Sequence, residues 1–375
     1  MDLIKFVNDN SFGIQSDGVT NITKNKIKYI REYVRNWLFV ANNSGNNINY
    51  IDCMCNAGIY NDCTLSTSME VLKLFVEASK ANPTKNYNIF LNDINNDRVE
   101  VIKKLSKLIK GNANVNIFYS CKDVNKYIEN IDEYDYYLLN KSFTILFVDP
   151  YNFGDVRIKL IHDFAIKYYS EIIFNYFSSD IRRNGNNESA PNKSKKITDS
   201  MQGVPGYCDG LTPKEILKLI QDYFKESKIK YSFAYEFRVK TNVDLYYIVF
   251  STPHLRGLQK LKDVLWDVFS GDLYYKNKDE SKKQLSLFDV DELKIEYYAK
   301  EAQDLLINAF TGKTINYIEI EQLLLENTIL KSTQIIQNII KPLIEAKIII
   351  KYNLKSKKDF KNDIYTIVGD ENEEL

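Results

Sequence analysis

Apolar residues between Ile48 and Ser251 alternate between two rhythms. Short β-rich runs at Ile48–Cys53, Asn86–Asn92, Val115–Tyr119, Thr144–Val148 and Glu171–Asn175 are bounded by turn residues and predict buried strands. Between them lie stretches of helical period: about Thr67 to Lys80, Asp97–Lys110, a short helix after Asn125, and Val156–Tyr168. Ahead of the first strand, Ile27, Ile30, Val34 and Leu38 place one apolar face on a helix over Lys24–Ala41. Strand, helix, strand, helix predicts an α/β fold with a doubly wound, Rossmann-like parallel sheet. A helix over Pro213–Glu226 precedes two longer runs, Tyr231–Val239 and Asp244–Ser251, which read as an antiparallel terminal hairpin. A helix from about Leu255 to Phe269 follows.

The interruptions divide the chain. Residues 1–23 are polar and glycine-punctuated and predict a loosely held lead-in; 24–270 form the α/β domain; 271–294 form a charged linker; and 295–375 form a second domain. Within the first domain Ser178–Ser200 has no apolar period and predicts a mobile loop over the strand ends. In the last segment, helices near Ile295–Ala309, Tyr317–Glu326 and Ser332–Glu345 precede runs at Lys347–Tyr352 and Asp363–Val368. Three helices and a two-stranded wing describe a winged helix-turn-helix, with Ser332 as N-cap of the recognition helix. On that helix Gln334, Gln337 and Asn338 are candidate base readers. Lys341 stands at its end, and Lys351, Lys355, Lys357, Lys358 and Lys361 make the wing basic. The plain alternative is a solvated charged face on a domain that contacts protein.

Composition narrows the partners. Lys+Arg 50 against Asp+Glu 50 argues against coating nucleic acid by charge alone. No apolar run reaches bilayer length. Five cysteines without a secretory signal predict free thiols in a reducing cytoplasm. Cys53, Cys55 and Cys63 could supply three zinc ligands, but a fourth is not evident, so buried thiols and no metal are expected. His162 and His254 are isolated and read as structural.

Candidate chemistry sits at the strand ends, where open α/β sheets bind ligands. The fourth strand ends in Asp149-Pro150-Tyr151. An acid and a proline carbonyl beside an aromatic plate can hold the exocyclic amino group of a flat heterocycle, with the ring stacked on Tyr151. The plain alternative is a type I turn with Pro150 at its second position. Asn175, after the fifth strand, could add an amide at the same rim or simply close the strand.

With these pieces in order the chain resembles the TcmP family, the three-Cys-motif partner proteins, from about Lys24 to Val368. The likeness rests on Tyr50-Ile51-Asp52, Asp93, Asp123-x-Asn125, Phe147-Val148-Asp149-Pro150-Tyr151, Phe174-Asn175 with Asp180-x-Arg182, Tyr246–Phe250 and Gln284–Phe288. It implies a class I methyltransferase-like domain carrying a C-terminal winged helix, and S-adenosylmethionine as cofactor. By that resemblance Asp52 and Asn56 belong to the cofactor loop, and Gly58 lets backbone approach the methionine part. Asp93 accepts from the ribose hydroxyls, and Asp123 faces the adenine amino group. Alternatively Asp93 and Asp123 cap the turns that follow them. Asp52-Cys53-Met54-Cys55-Asn56-Ala57-Gly58 departs from the family's Asp-x-Phe-Ala-Gly-x-Gly, since Asn56 adds a side chain where glycine is usual. Asp149-Pro150-Tyr151 also resembles the tetrapeptide of nucleic-acid amino-methyltransferases, with one proline fewer. The implied function is methylation of a base amino group in DNA or RNA. The rival is an inactive methyltransferase-fold scaffold or nucleic-acid-binding subunit of a mobile-element or antiviral defence system. Gln284-Leu285-Ser286-Leu287-Phe288 looks like the peptide with which bacterial proteins dock on the sliding clamp; otherwise its apolar residues pack back on their own domain.

Overall fold

The computed structural model describes residues 2–15, 18–44, 47–185, 189–225, 228–238, 244–276, 290–352 and 363–368. The chain forms two compact units. In the first, α1 (Leu3–Asp9) and a 3-10 turn lead to α2 (Asn21–Ser44), β1 (Asn47–Asp52), α3 (Thr67–Ala81), β2 (Asn86–Asn92), α4 (Asn96–Lys110), β3 (Val115–Ser120) and α5 (Val124–Leu139). Then come β4 (Phe143–Val148), α6 (Ile158–Tyr168), β5 (Glu171–Tyr176), α7 (Ser178–Asn184), α8 (Pro191–Ser200), α9 (Pro213–Phe224), β6 (Tyr231–Arg238) and β7 (Asp244–Thr252).

The strands form one sheet in the order β3-β2-β1-β4-β5-β7-β6, extended by the short β8 (Tyr274–Lys276). All neighbours from β3 to β5 pair in parallel, and β7 runs antiparallel to both β5 and β6. Chain order reverses between β1 and β4, and this is where an open sheet leaves a crevice at its carboxyl edge. The central strands are buried on both faces because helices cover both, which explains their nearly continuous apolar sequence. This is the class I methyltransferase-like α/β fold with its antiparallel terminal hairpin. The hairpin's turn lies outside the described residues.

Three expectations are corrected. The lead-in is not loose: Asp2 caps α1, Lys104 Nζ donates to Asn10 Oδ1 at 2.9 Å, and Gly13 lies so close to α4 that a Cβ there would meet Asp97 O at 2.7 Å. Ser178–Ser200 is largely helical, as α7 and α8. Its apolar anchors are sparse, chiefly Ile181 and Ile197, but buried polar groups do the rest: Asp180 Oδ2 accepts the Phe153 N–H at 2.9 Å, and Ser200 Oγ donates to Val156 O. Part of the expected linker, Tyr274–Lys276, is a strand of the sheet.

The second unit also takes in α10 (Leu255–Phe269), which the sequence reading assigns to the first domain. Polar side chains of α10 bind the chain after α12 (Tyr317–Asn327): Lys262 Nζ donates to Thr328 O at 2.6 Å and Trp266 Nε1 to Ile329 O at 2.9 Å. The remaining elements are α11 (Val290–Phe310), β9 (Thr314–Asn316), α13 (Ser332–Ile335), a π turn (Ile336–Ile340), α14 (Lys341–Glu345), β10 (Ile349–Tyr352) and β11 (Ile364–Ile367). The sheet is three-stranded, β10-β11-β9, rather than a two-stranded wing. The π turn has a local cause. Pro342 has no N–H to give the Asn338 carbonyl, which instead accepts from Gln303 Nε2 at 3.1 Å. Among the described residues no helix is long and apolar enough to cross a membrane.

Candidate functional site

Two adjoining hollows open at the carboxyl edge of the sheet. The first, about 410 Å³, is lined by Met54, Asp93, Ile94, Asp123, Tyr151 and Lys196 among others; the second, about 250 Å³, by Lys26, Asp52, Asn56, Tyr60, Asp149 and Phe177 among others. Met54 and Tyr151 line both. The four acids singled out in the sequence therefore gather along one rim but divide between two neighbouring spaces.

Asp52 ends β1 and is buried. It accepts the Met54 N–H on Oδ1 (3.0 Å) and the Ser68 hydroxyl on Oδ2, which folds the loop back over the strand end. Burial pushes its carboxyl up to about 7, against these hydrogen bonds, with Asp149 and Asp93 adding repulsion. Asn56 takes the left-handed conformation (φ 56°), donates its N–H to Asp93 Oδ2 at 3.0 Å, and folds its Oδ1 onto the Ala57 N–H at 2.8 Å. Its side chain is thus held against its own loop.

Gly58 is not where the resemblance places it. It has φ 82°, and a Cβ there would meet Ile102 at 2.9 Å and Met69 at 3.0 Å. Close packing of α3 and α4 behind the loop requires the glycine, and Gly58 lines neither hollow.

Asp93 is buried and accepts from two backbone amides, Asn56 N on Oδ2 and Asn95 N on Oδ1 (2.9 Å), with Arg98 Nη1 3.7 Å away. Asp123 caps α5 through the Asn125 and Lys126 amides at 3.0 and 3.2 Å. The turn-capping roles are therefore real, and they coexist with a place on the first hollow. Ile94, 68% exposed, adds an apolar rim beside them.

Asp149 is gripped from two sides. Lys26 Nζ of α2 donates to Oδ2 and Asn175 Nδ2 of β5 to Oδ1, both at 2.6 Å. Pro150 is buried, and Tyr151 is 46% exposed. The Tyr151 hydroxyl accepts from Gln15 Nε2 at 2.9 Å, and the Arg98 guanidinium stands 5.1 Å from its ring centre. Burial, opposed by Arg98, pushes the Tyr151 phenol up to about 12.

Several contributors escape sequence reasoning. Lys26 and Gln15 reach the rim from segments that precede it by tens of residues, and Arg98 comes from the first turn of α4, just after Asp93, where it reads as a solvated helix position, so no motif marks them. Asn92 ties three strand ends together, donating to Cys53 O (3.0 Å) and Lys122 O (2.9 Å) and accepting from Lys122 N (3.1 Å). Ile94 carried a usable signal, an apolar residue directly after a strand-end acid.

In the second unit the proposed base readers separate. Gln334 is buried, and its Oε1 accepts the Lys331 N–H at 2.9 Å, so it closes the helix start and is withdrawn as a base reader. Ser332 is the first helical residue, and Lys331 takes the N-cap position. Asn338 Nδ2 is turned onto Gln334 O at 2.9 Å. Gln337 and Lys341 are exposed and bonded to each other at 2.6 Å. Thr333 and Glu345 complete their exposed stripe at helical spacing. Lys355, Lys357 and Gln284–Phe288 lie outside the described residues.

No family model matches the chain, and no curated protein matches it. Solved structures do. An O-methyltransferase from Bacillus cereus in complex with SAH is similar at 10% identity over 67% of this chain and 90% of that one, with a TM-score of 0.38. A putative O-methyltransferase from Klebsiella pneumoniae is similar at 12% identity over 67% and 89%, with a TM-score of 0.35. Trm1 from Pyrococcus horikoshii with S-adenosyl-L-methionine is similar at 14% identity over 64% and 58%, with a TM-score of 0.34. The class itself is defined by strand order and by the single reversed strand β7: the first unit is a class I methyltransferase-like domain.

Proposed function

We propose that the first unit is an S-adenosylmethionine-dependent methyltransferase acting on the amino group of a nucleobase, and that the second unit is a winged helix holding DNA or a protein partner. The observation that carries this reading is the pair of hollows joined at Met54 and Tyr151. One offers acceptors suited to a diol and an amine, and the other an acid suited to a second amine. The residues present fit the cofactor. Asp93 has one backbone partner on each oxygen and so keeps lone pairs for ribose hydroxyls, Asp123 accepts from an adenine amino group, and Ile94 supplies an apolar face. Asn56 leaves room because its side chain lies against Ala57 N.

When bound, the cofactor supplies an electrophilic sulfonium methyl group. Asp149 and the Pro150 carbonyl accept the amino hydrogens of the acceptor, keeping electron density on its nitrogen, and Tyr151 stacks on a base taken out of its helix. The helix–strand–helix–helix–hairpin order of the second unit supports the winged-helix reading, and Gln337 and Lys341 are the side chains best placed to meet a groove.

One observation favours the non-enzymatic alternative, a scaffold in a mobile-element or defence system: Arg98 sits beside Asp93 and over Tyr151, occupying acid and plate from within. Calorimetric titration with S-adenosylmethionine separates the two. Binding that is lost in Asp93→Ala supports the enzyme, whereas no heat at millimolar cofactor supports the scaffold. Sliding-clamp docking through Gln284–Phe288 is tested by pull-down with purified clamp, comparing the chain with its Leu287→Ala/Phe288→Ala variant; equal capture ends that idea.

A further inference from the structure

A further hollow, about 430 Å³, shares no lining residue with the two at the rim. Ile181 of α7, Ile197 of α8 and Ile216 of α9 give it apolar walls, and Arg182, Arg183 and Tyr207 line it as well. Both arginines are exposed. Asp180 of the same helix is buried, where Oδ2 accepts the Phe153 N–H and Oδ1 the Asn184 amide at 2.6 Å, so α7 presents cations outward and keeps its acid inside. The N-terminus of α9 contributes no free amides at its cap, because Thr212 and Glu215 close on each other. The Tyr207 hydroxyl is tied to Asp209 Oδ1 at 3.5 Å. Two guanidinium groups, an aromatic ring and apolar walls in a space of ligand size suit an aromatic anion.

Helix α7 links this hollow to the rim. Phe177, which lines the second hollow, directly precedes the helix, and Arg183 stands near its far end, about 9 Å along at 1.5 Å per residue. Two or three stacked nucleotides of one strand cover that span at about 3.4 Å each. The start of α9 is fixed to the same strand end, since the Tyr176 hydroxyl donates to Pro213 O at 2.5 Å.

We propose that this hollow is a second nucleotide subsite, in which Arg182 and Arg183 hold a backbone phosphate and Tyr207 stacks on the attached base. The substrate class is then an unpaired polynucleotide strand, because a base stacked on a side chain has left its own stack. That this nucleotide flanks a target base rests on the methyltransferase reading above, whereas the subsite itself does not. Guanidinium forks pair with phosphate oxygens whatever the sequence, and every base offers a π face, so the subsite grips a strand without reading it.

The test uses the full chain without cofactor and a fluorescein-labelled DNA tetranucleotide carrying 5-bromouracil. By anisotropy, Arg182→Gln/Arg183→Gln is expected to weaken binding about tenfold and to reduce the salt slope by about one phosphate contact. Tyr207→Leu is expected to weaken it about fivefold with the slope unchanged. Lys107→Gln/Lys110→Gln removes the same charge from α4 and is expected to change affinity less than about twofold. Equal losses in the two charge variants overturn the proposal, as do no loss in either and no binding at all. Irradiation locates the strand: an adduct on the peptide bearing Tyr207 supports the subsite, and adducts confined to the second unit overturn it. An acidic peptide that displaces the tetranucleotide with equal affinity also overturns it, since charge alone then suffices. Arginine-dependent tetranucleotide binding without S-adenosylmethionine binding keeps the subsite and sinks the methyltransferase reading; cofactor binding with tetranucleotide binding indifferent to the arginines does the reverse.

Discussion

Lys26 Nζ of α2 and Asp149 Oδ2 at the end of β4 lie 2.6 Å apart, with side chains 10% and 24% exposed. A helix 123 residues earlier in the chain therefore supplies the counter-charge for the central acid of the rim. Because the pair is mostly buried, removing one partner strands the other. Lys26→Met is expected to destabilise the chain by about 2 kcal/mol, and adding Asp149→Asn to recover more than half of that. Urea unfolding of the two variants checks this; additive losses would mean that the pair is not coupled.

Tyr151 joins the lead-in to the rim through Gln15, and Gly13 holds the lead-in against α4. Gly13→Val puts bulk where Asp97 O would be 2.7 Å from a bare Cβ, so residues 2–15 are expected to lift off while the sheet stays intact. Hydrogen exchange reads this directly: amides of α1 should exchange at least about tenfold faster, with those of β1 and β4 unchanged. Tyr151→Phe, which loses one hydrogen bond worth about 1 kcal/mol, should produce a weaker version confined to the segment around Gln15.

The sheet was legible because its strands are buried on both faces, which leaves short apolar runs such as Thr144–Val148 that resemble nothing else. Predicted and observed strand bounds differ by one residue or so for that reason. The strand-end acids were legible too, since topology alone brings Asp52, Asp93, Asp123 and Asp149 to one edge. What occupies those acids was not. Lys26 reads locally as one polar position on an amphipathic helix, and Arg98 as a solvated residue of α4; only tertiary approach gives them partners. The lead-in and Ser178–Ser200 were misread for a related reason. Their order comes from polar bonds such as Asp180 to Phe153 N, which have no period in sequence.

In the second unit, neighbours on one helix are expected to behave oppositely. Gln334→Ala removes a buried acceptor from the Lys331 amide and should cost about 1–2 kcal/mol, with no specific change in nucleic-acid binding. Gln337→Ala/Lys341→Ala alters only exposed groups and should leave the melting temperature within about 1 °C. If the winged helix contacts DNA through this stripe, the double variant weakens binding and reduces its salt dependence by about one phosphate contact. Fluorescence anisotropy across a salt series reads both quantities, and an unchanged slope would remove Lys341 from the interface.

A last relationship links burial to pH. Glu171 lies at the start of β5 and is bonded to the Tyr33 hydroxyl at 2.5 Å and the Thr252 hydroxyl at 2.9 Å. Desolvation lifts its carboxyl from 4.5 to about 7, outweighing both hydrogen bonds. A folded-state value above the unfolded one means that the native chain holds this proton more tightly. Between about pH 4.5 and 7 the folded state binds more protons than the unfolded one, so unfolding free energy falls as pH rises through that window. The stabilising difference is complete below about 4.5, is lost by about 7, and is on the order of 3 kcal/mol for Glu171. Asp52, also lifted to about 7, slopes the same way. Glu171→Gln keeps the shape and cannot titrate. Urea unfolding of both chains at pH 5 and pH 7.5 should therefore show the Gln variant gaining stability relative to the unaltered chain as pH increases. A difference independent of pH would mean that Glu171 titrates alike in both states, and that its two hydroxyl partners offset its burial.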